Sequence, residues 1–462
     1  ELPSRALRPG EGVTLTARVL SEFEDQVFTL EMDGAPVAEA VAEGDAGPRI
    51  LEFPLTAPSP GLHHGRVRKE SDAFPADDVR PFVLTVPPAI RVLLVHGEDR
   101  PVDPAAGRGG WRYLAEALAP GGGPSAFRVR PVEASGLNTG DLGAADVVVL
   151  VDPGVLGRRT LEGFTSWLGG GGAALILAGE PNQAAYLGES LLPALGIESP
   201  VEFRTAQGPG QRPRVVDPAH PVFAGLDEEA LDTFAEIPWR RWLALDEPSG
   251  SALAVLAGGD PLVVAGSFEE GRFALGPWNL NPDNSGFADS PMALPLLQRT
   301  VAWLAAHADA GRSGNTLVGR EAVIRPREGS PGLDRPEDLA LSGPSGEAVG
   351  GLRLEWRGGQ SRLIGGLIDD AGFYSFLAGD DTLGVLAAAI PAGESRLELA
   401  DPTEWGTGLE TLGLEVSGTL GGSLPASFLD ALGGTDLAPW FLLTAVALLM
   451  TELTLGRGNR RA

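Results

Sequence analysis

A chain of 462 residues is too long for a single hydrophobic core, and a formal charge of −27 repels phosphate backbones, which argues against nucleic-acid binding by its main body. The absence of cysteine removes disulfides, thiolate nucleophiles and Cys-ligated metal centres together. The 64 glycines and 39 prolines demand many turns, and a single lysine, Lys69, among otherwise all-arginine cations reads as GC-rich base composition rather than chemistry.

Residues 1–88 read as seven or so short strands with no convincing helix, which predicts an immunoglobulin-like β-sandwich. "GVTLTARVL", "VFTLEMDGAPVAEAVAE", "RILEFPLTA" and "RPFVLTV" carry the pattern, with Asp33-Gly34 at a hairpin turn. His63-His64 is expected in an exposed β loop. The chain opens on Glu1 rather than Met, which reads as a truncated start.

The character changes after Pro87-Pro88. "AIRVLLVHGE" is a fully apolar run of the kind found in buried parallel strands. A helix over "GGWRYLAEALAP" follows, with Trp111, Leu114, Ala115 and Leu118 on one face. Next come "FRVRPVEA", "ADVVVLVDPG", the helix "RTLEGFTSWLGG" and "AALILAGE". That alternation predicts a flavodoxin-like, doubly wound α/β domain over 89–310. Its expected closing hairpin is "DPLVVAGSFEEGRFALGPWN", its last helix "ALPLLQRTVAWLAAH", and a less regular insertion occupies about 200–250. Strand patterns return over 313–400 as a small C-terminal β domain, followed by a Gly- and Thr-rich linker at 401–436.

Residues 437–456 form an apolar run just long enough for a transmembrane helix, broken only by Glu452. Trp440 suits one interface, and Arg457, Arg460 and Arg461 flank the other. Arginines held on the cytoplasmic side place the preceding residues outside the cytoplasm, so the expectation is a bacterial inner-membrane protein with one C-terminal anchor.

Ligands of open parallel sheets bind beyond the carboxyl ends of the strands. Those ends carry Glu98, Asp152, Glu180 and the pair Trp278-Asn279. Glu98, Asp152 and Glu180 are the candidate ligands for Mg²⁺ or Ca²⁺, set against the frequency of carboxylates as plain strand terminators. No serine sits in a nucleophile elbow, and Ser190 in "GES" falls within a helix. His63, His64, His96, His220 and His307 show no metal-ligand spacing; only His96 lies at a strand end. There is no phosphate loop, and Gly169 to Gly172 precede a strand, so they suit a helix C-cap instead. "NPDNSG" at 281–286 only partly matches an Asp-x-Ser-x-Ser metal loop, because Phe287 replaces the second serine.

The order of segments resembles the long membrane proteins of the bacterial aerotolerance-regulator (Bat) group, which carry a class I glutamine amidotransferase-like domain. "DAFPADDVRPFVLTV" with "IRVLLVHGE" looks like the family's junction into the α/β domain. "ADVVVLVD", "LGGGGAALILAGE", "DPAHPVFAGL", "EEGRFALGPWNLNPDNSGF", "PLLQRTVAWLA" and "ESRLELAD" follow in order. The resemblance implies a nucleophile position after "AALILAG", which here holds Glu180-Pro181 in place of cysteine. The late segment that would supply the histidine reads Pro277-Trp278-Asn279. A pseudoenzyme without cofactor is therefore expected.

By that resemblance the partners are von Willebrand factor A-domain membrane proteins and a MoxR-type AAA+ ATPase system for stress tolerance. The expected function is non-catalytic, through protein contacts in the envelope. Two alternatives stand beside it. One is a metal-assisted hydrolase using the strand-end carboxylates. The other is a carbohydrate- or peptidoglycan-binding protein, for which Trp239 and Trp242 would have to be exposed.

Overall fold

The computed structural model describes residues 2–392, except 22–23, 72–74, 76, 98–109, 123–124, 247–249, 328 and 358–359, together with residue 446. Its architecture is mixed α/β with several sheets. The linker 401–436 and the predicted membrane span 437–456 lie outside the described residues, apart from Val446, as does the whole of "ESRLELAD". Among the described residues no helix is long and apolar enough to cross a membrane.

The N-terminal strands number six, one fewer than expected. They are β1 (Gly12–Ser21), β2 (Gln26–Met32), β3 (Ala35–Ala42), β4 (Gly47–Thr56), β5 (Gly61–Lys69) and β6 (Val79–Val86). β1 pairs with β4, and a second sheet runs β3-β2-β5-β6, every pairing antiparallel. Leu15, Leu30, Phe53, Phe82 and Val86 interleave between the two sheets, the outcome of period-two alternation along strands with one buried face. His63 and His64 correct the expected loop. They sit within β5, and His63 points inward, its ring held by Asp33 Oδ2 at 2.6 Å and Ser59 O at 2.8 Å. Flanking Gly61 and Gly65 disguise the strand; Gly65 is required because a Cβ there would overlap the Phe82 ring.

The central sheet has eight strands. Five are parallel: β7 (Ile90–His96), β8 (Phe127–Glu133), β9 (Val147–Val151), β10 (Ala173–Leu177) and the later β16. Between β10 and β16 lie β11 (Val201–Thr205), β12 (Pro213–Val215), β13 (Arg241–Leu245), β14 (Ser251–Leu256) and β15 (Pro261–Phe268). β16 itself is Gly271–Gly276, and the spatial order is β12-β14-β15-β16-β10-β9-β7-β8. β11 and β13 form a separate pair.

Helices cover both faces of that sheet. On one side lie α1 (Gly110–Leu118) and a later long helix; on the other lie α2 (Thr139–Gly143) and α3 (Arg158–Gly169). α4 (Glu228–Ala235) starts on an Asp227 cap, and the long helix is α5 (Ala293–Arg312). Strand residues divide by parity. Val147, Val149 and Val151 join the α1/α5 core, whereas Val148 and Leu150 join the core under α3. This is why "VVVLV" needs no polar residue: both faces of β9 are dry.

The C-terminal strands are β17 (Gly314–Leu317), β18 (Glu321–Ile324), β19 (Leu339–Ser342), β20 (Arg353–Arg357), β21 (Gln360–Leu367), β22 (Gly372–Ala378) and β23 (Asp381–Ala389). They form sheets β17-β23-β22-β19 and β18-β21-β20 around Ile324, Leu363 and Phe376. This group is pinned to the central sheet at the β15–β16 turn. Glu270 there accepts hydrogen bonds from Arg325, Arg357 and Arg362 at 3.0, 3.0 and 2.9 Å. The Arg325 guanidinium lies in a slot between Gly171 and Gly311, where a Cβ would come within 2.2 and 2.5 Å of it. The C-terminal strands also touch the N-terminal ones, with Val83 N of β6 donating to Asn315 Oδ1 of β17 at 3.0 Å.

Candidate functional site

The parallel strands deliver their carboxyl ends to one edge of the central sheet. β7 ends at His96-Gly97, β9 at Asp152, β10 runs out through Gly179-Glu180, and β16 through Trp278-Asn279. Asp152 turns the chain away with φ of +40°, a conformation that L residues with a short polar side chain tolerate. Its backbone therefore presses on β7: a Cβ at Gly97 would sit 2.6 Å from Asp152 O. Gly179 is fixed for the same kind of reason, since its Cβ would lie 2.4 Å from Asn279 N.

Three of these ends are tied by side chains. Gly179 N and Glu180 N donate to Asp152 Oδ1 at 2.8 and 3.2 Å. Asn279 Nδ2 donates to Asp152 Oδ2 at 3.0 Å and to Glu180 Oε1 at 2.8 Å. The Asn279 carbonyl in turn accepts from Asn284 Nδ2 at 2.9 Å and Asn281 N at 3.2 Å, which fixes the orientation of the amide. Removal from water pushes the Asp152 carboxyl up to about 6. The Glu180 charge acts in the same direction, while the donated hydrogen bonds oppose both.

Asp152 and Glu180, named from the sequence, are thus brought together. Glu98 lies outside the described residues. Among the described residues no group of three or more His, Asp or Glu side chains is arranged to hold a metal. Pro181 opens a helical turn, Pro181–Gln183, and Ser190 lies in a single π-turn over Leu187–Leu191. His96 does not join the carboxylates: it stacks on Trp111 at 4.2 Å, with Nδ1 bonded to Gly97 O.

Asn279 and Asn284 are the members that sequence reasoning missed as functional positions. The available signal was the strand end itself, where "WN" follows a buried run. Trp239 and Trp242, the aromatic candidates for sugar contact, are 0% and 2% exposed and are packed inside the fold. Trp239 packs against Phe234, Trp278 and Phe287, and Trp242 Nε1 donates to Asp260 Oδ2 at 2.8 Å. Both rings belong to the same buried cluster as Val92, Val149 and Leu175, so residues 200–250 pack onto the core of the central sheet.

No family model matches the chain, and no curated protein matches it. Among solved structures it is similar to a cytoplasmic protein from Salmonella typhimurium, at 18% identity and a TM-score of 0.36, over 46% of this chain and 98% of that one. A ThuA-like protein from Bacteroides uniformis shows 15% identity and a TM-score of 0.33, over 47% and 91%. A β-galactosidase from Bacillus circulans sp. alkalophilus shows 10% identity and a TM-score of 0.27, over 60% and 41%. At these scores the likenesses carry neither a fold nor an activity over to this chain.

Proposed function

We propose that the chain is a non-catalytic, Bat-type component of the bacterial envelope, held at the inner membrane by residues 437–456 and acting through protein contacts. In this reading the central sheet is a class I glutamine amidotransferase-like scaffold and the N-terminal strands are an immunoglobulin-like module. The observation that supports it is the use made of the strand-end carboxylates. Asp152 accepts from Gly179 N, Glu180 N and Asn279 Nδ2, so the turn where the resemblance expects a nucleophile is an internal staple. With both oxygens engaged by these donors, the Asp152 carboxylate is used to hold the strand ends together.

The partners proposed on the resemblance are von Willebrand factor A-domain membrane proteins and a MoxR-type AAA+ ATPase. Affinity capture of the membrane-embedded, full-length protein tests this reading. Recovery of a von Willebrand factor A-domain protein or the ATPase, reduced by surface substitutions that leave folding intact, supports it. Repeated capture without either sinks it.

One observation favours the hydrolase reading: Asp152 and Glu180 present oxygens to a single nitrogen, and the Asp152 carboxyl is pushed up to about 6. In that reading a divalent cation would displace the Asn279 amide. Calorimetric titration with Mg²⁺ and Mn²⁺ decides between the two. Stoichiometric binding lost in Asp152→Asn would favour the hydrolase, and no binding would favour the staple.

A further inference from the structure

Lys69 is the only lysine in the chain, and it is not a surface residue. It ends β5 on the inward face, opposite Phe28 of β2 in the register of the sheet. Its side chain is 7% exposed, and two carboxylates face it. Asp77 Oδ1 lies 3.2 Å from Nζ, and Asp78 Oδ1 lies 3.7 Å from it. The backbone holds this triad in place, because Lys69 N donates to Asp78 O at 2.9 Å across the base of the β5–β6 connection.

Two features set the triad apart from an ordinary ion pair. Both carboxylate oxygens that face the amine, Asp77 Oδ1 and Asp78 Oδ1, are buried and accept no hydrogen bond of good geometry among the described residues. Burying two carboxylates with incomplete hydrogen bonding is costly, and removing a charge pair by forming a neutral bond relieves that cost. Oδ1 is bonded to Cγ, so the carbon to be attacked lies one bond from the oxygen that Nζ already meets at 3.2 Å.

We propose that Lys69 and Asp77 form an intramolecular isopeptide bond, with Asp78 as the proton carrier. The ammonium first passes a proton to the Asp77 carboxylate, leaving a neutral amine and a neutral acid. The Nζ lone pair then attacks Asp77 Cγ and a C–N bond forms. Asp78 takes the proton released from nitrogen and delivers it to the departing hydroxyl as the C–O bond breaks. Ammonium plus carboxylate becomes amide plus water, with no redox change and no co-reactant. The product ties the end of β5 to the segment entering β6 and closes the loop covalently.

Mass spectrometry of the purified full chain tests this without any variant. The expected result is an intact mass below the sequence mass by one water. The expected tryptic product is residues 69–91 uncut after Lys69, because Arg68 and Arg91 bracket the linked segment, Pro81 blocks cleavage after Arg80, and an acylated lysine is not a trypsin site. Fragment spectra should place the link between Lys69 and Asp77. A chain of full sequence mass that trypsin cuts after Lys69 overturns the proposal. A one-water deficit that persists in Lys69→Arg would mark an aspartyl succinimide and overturns it equally. Asp78→Asn, checked for folding by thermal melting, should stay unlinked; linkage at the wild-type level would remove Asp78 from the step.

Discussion

The amide of Asn279 donates to Asp152 Oδ2 at 3.0 Å and so joins the exits of β16 and β9, two strands that β10 separates in the sheet. The backbone ladder cannot make this connection, because each strand bonds only to its neighbours. The fan of strand ends is closed by side chains, and Asn279 suits the task because its amide offers two donor hydrogens. Both are used on carboxylates, while its carbonyl is held by Asn281 and Asn284. Truncation at this position therefore leaves Asp152 and Glu180 facing each other with no donor between them. Asn279→Ala should lower stability by about 1–3 kcal/mol in urea unfolding, with an unchanged m-value. A loss of only a few tenths would show that the staple is dispensable.

The same site should be legible in a pH titration of stability. Asp152 holds its proton more tightly in the folded chain than in the unfolded one. Its contribution is therefore fully present below the ordinary aspartate range, and it is lost as pH rises toward about 6. The swing is on the order of 2 kcal/mol. Unfolding free energy measured between pH 4 and 7 should decline less steeply in Asp152→Asn than in the wild type. Parallel profiles would count against the staple's strained charge.

His307 acts with the opposite sign over the same range. Burial, with repulsion from Arg272 behind it, lowers its basicity to about 4, although Glu270 O accepts from the ring at 2.8 Å. The folded chain keeps the ring neutral while the unfolded chain protonates it below about 6.5. Stability from this group is thus complete above that value and lost as pH falls toward about 4. His307→Gln keeps a donor for Glu270 O and removes the titration. Its stability should fall less than that of the wild type on acidification from pH 6.5 to 4.5, in chemical denaturation at each pH.

Glu270 gathers Arg325, Arg357 and Arg362 at the tip of the β15–β16 hairpin. Glu270→Ala leaves those guanidinium groups without their shared acceptor, and part-buried Arg325 suffers most. We expect a loss of about 2–4 kcal/mol and faster proteolytic cleavage near residues 313–327. Cleavage at the wild-type rate would mean that the apolar contacts alone hold the C-terminal strands in place.

The sequence made some of this visible and hid the rest for physical reasons. The runs "VVVLV" and "AALIL" could be read as strands because strands buried on both faces contain nothing but apolar side chains. Asp152 and Glu180 could be named because chain ends of parallel strands converge whatever their residues. Asn279 stood at one of those ends too, but an asparagine after a strand is ordinarily a turn residue, and only spatial closeness to Asp152 makes it a bridge. β20 and β21 were hidden by their arginines, yet Arg353, Arg357 and Arg362 serve ion pairs rather than a loop. His63 was misplaced because neighbouring glycines weaken the strand pattern, although its ring fills the inward position. "PWRRW" offers Trp239 and Trp242 to sugars only if exposed and otherwise favours packing, and both indoles are buried.

The Arg325 slot has a consequence for how this chain can diverge. Gly171 ends the cap of α3 and Gly311 lies in the last turn of α5, distant in sequence and belonging to different elements, yet the same guanidinium occupies the space above each. Neither glycine can acquire a side chain while an arginine lies between them. Replacement of residue 325 by a small residue would release Gly311, whereas Gly171, at φ +110°, stays held by its own backbone. Homologues should therefore show residues 311 and 325 drifting together while a glycine persists at 171.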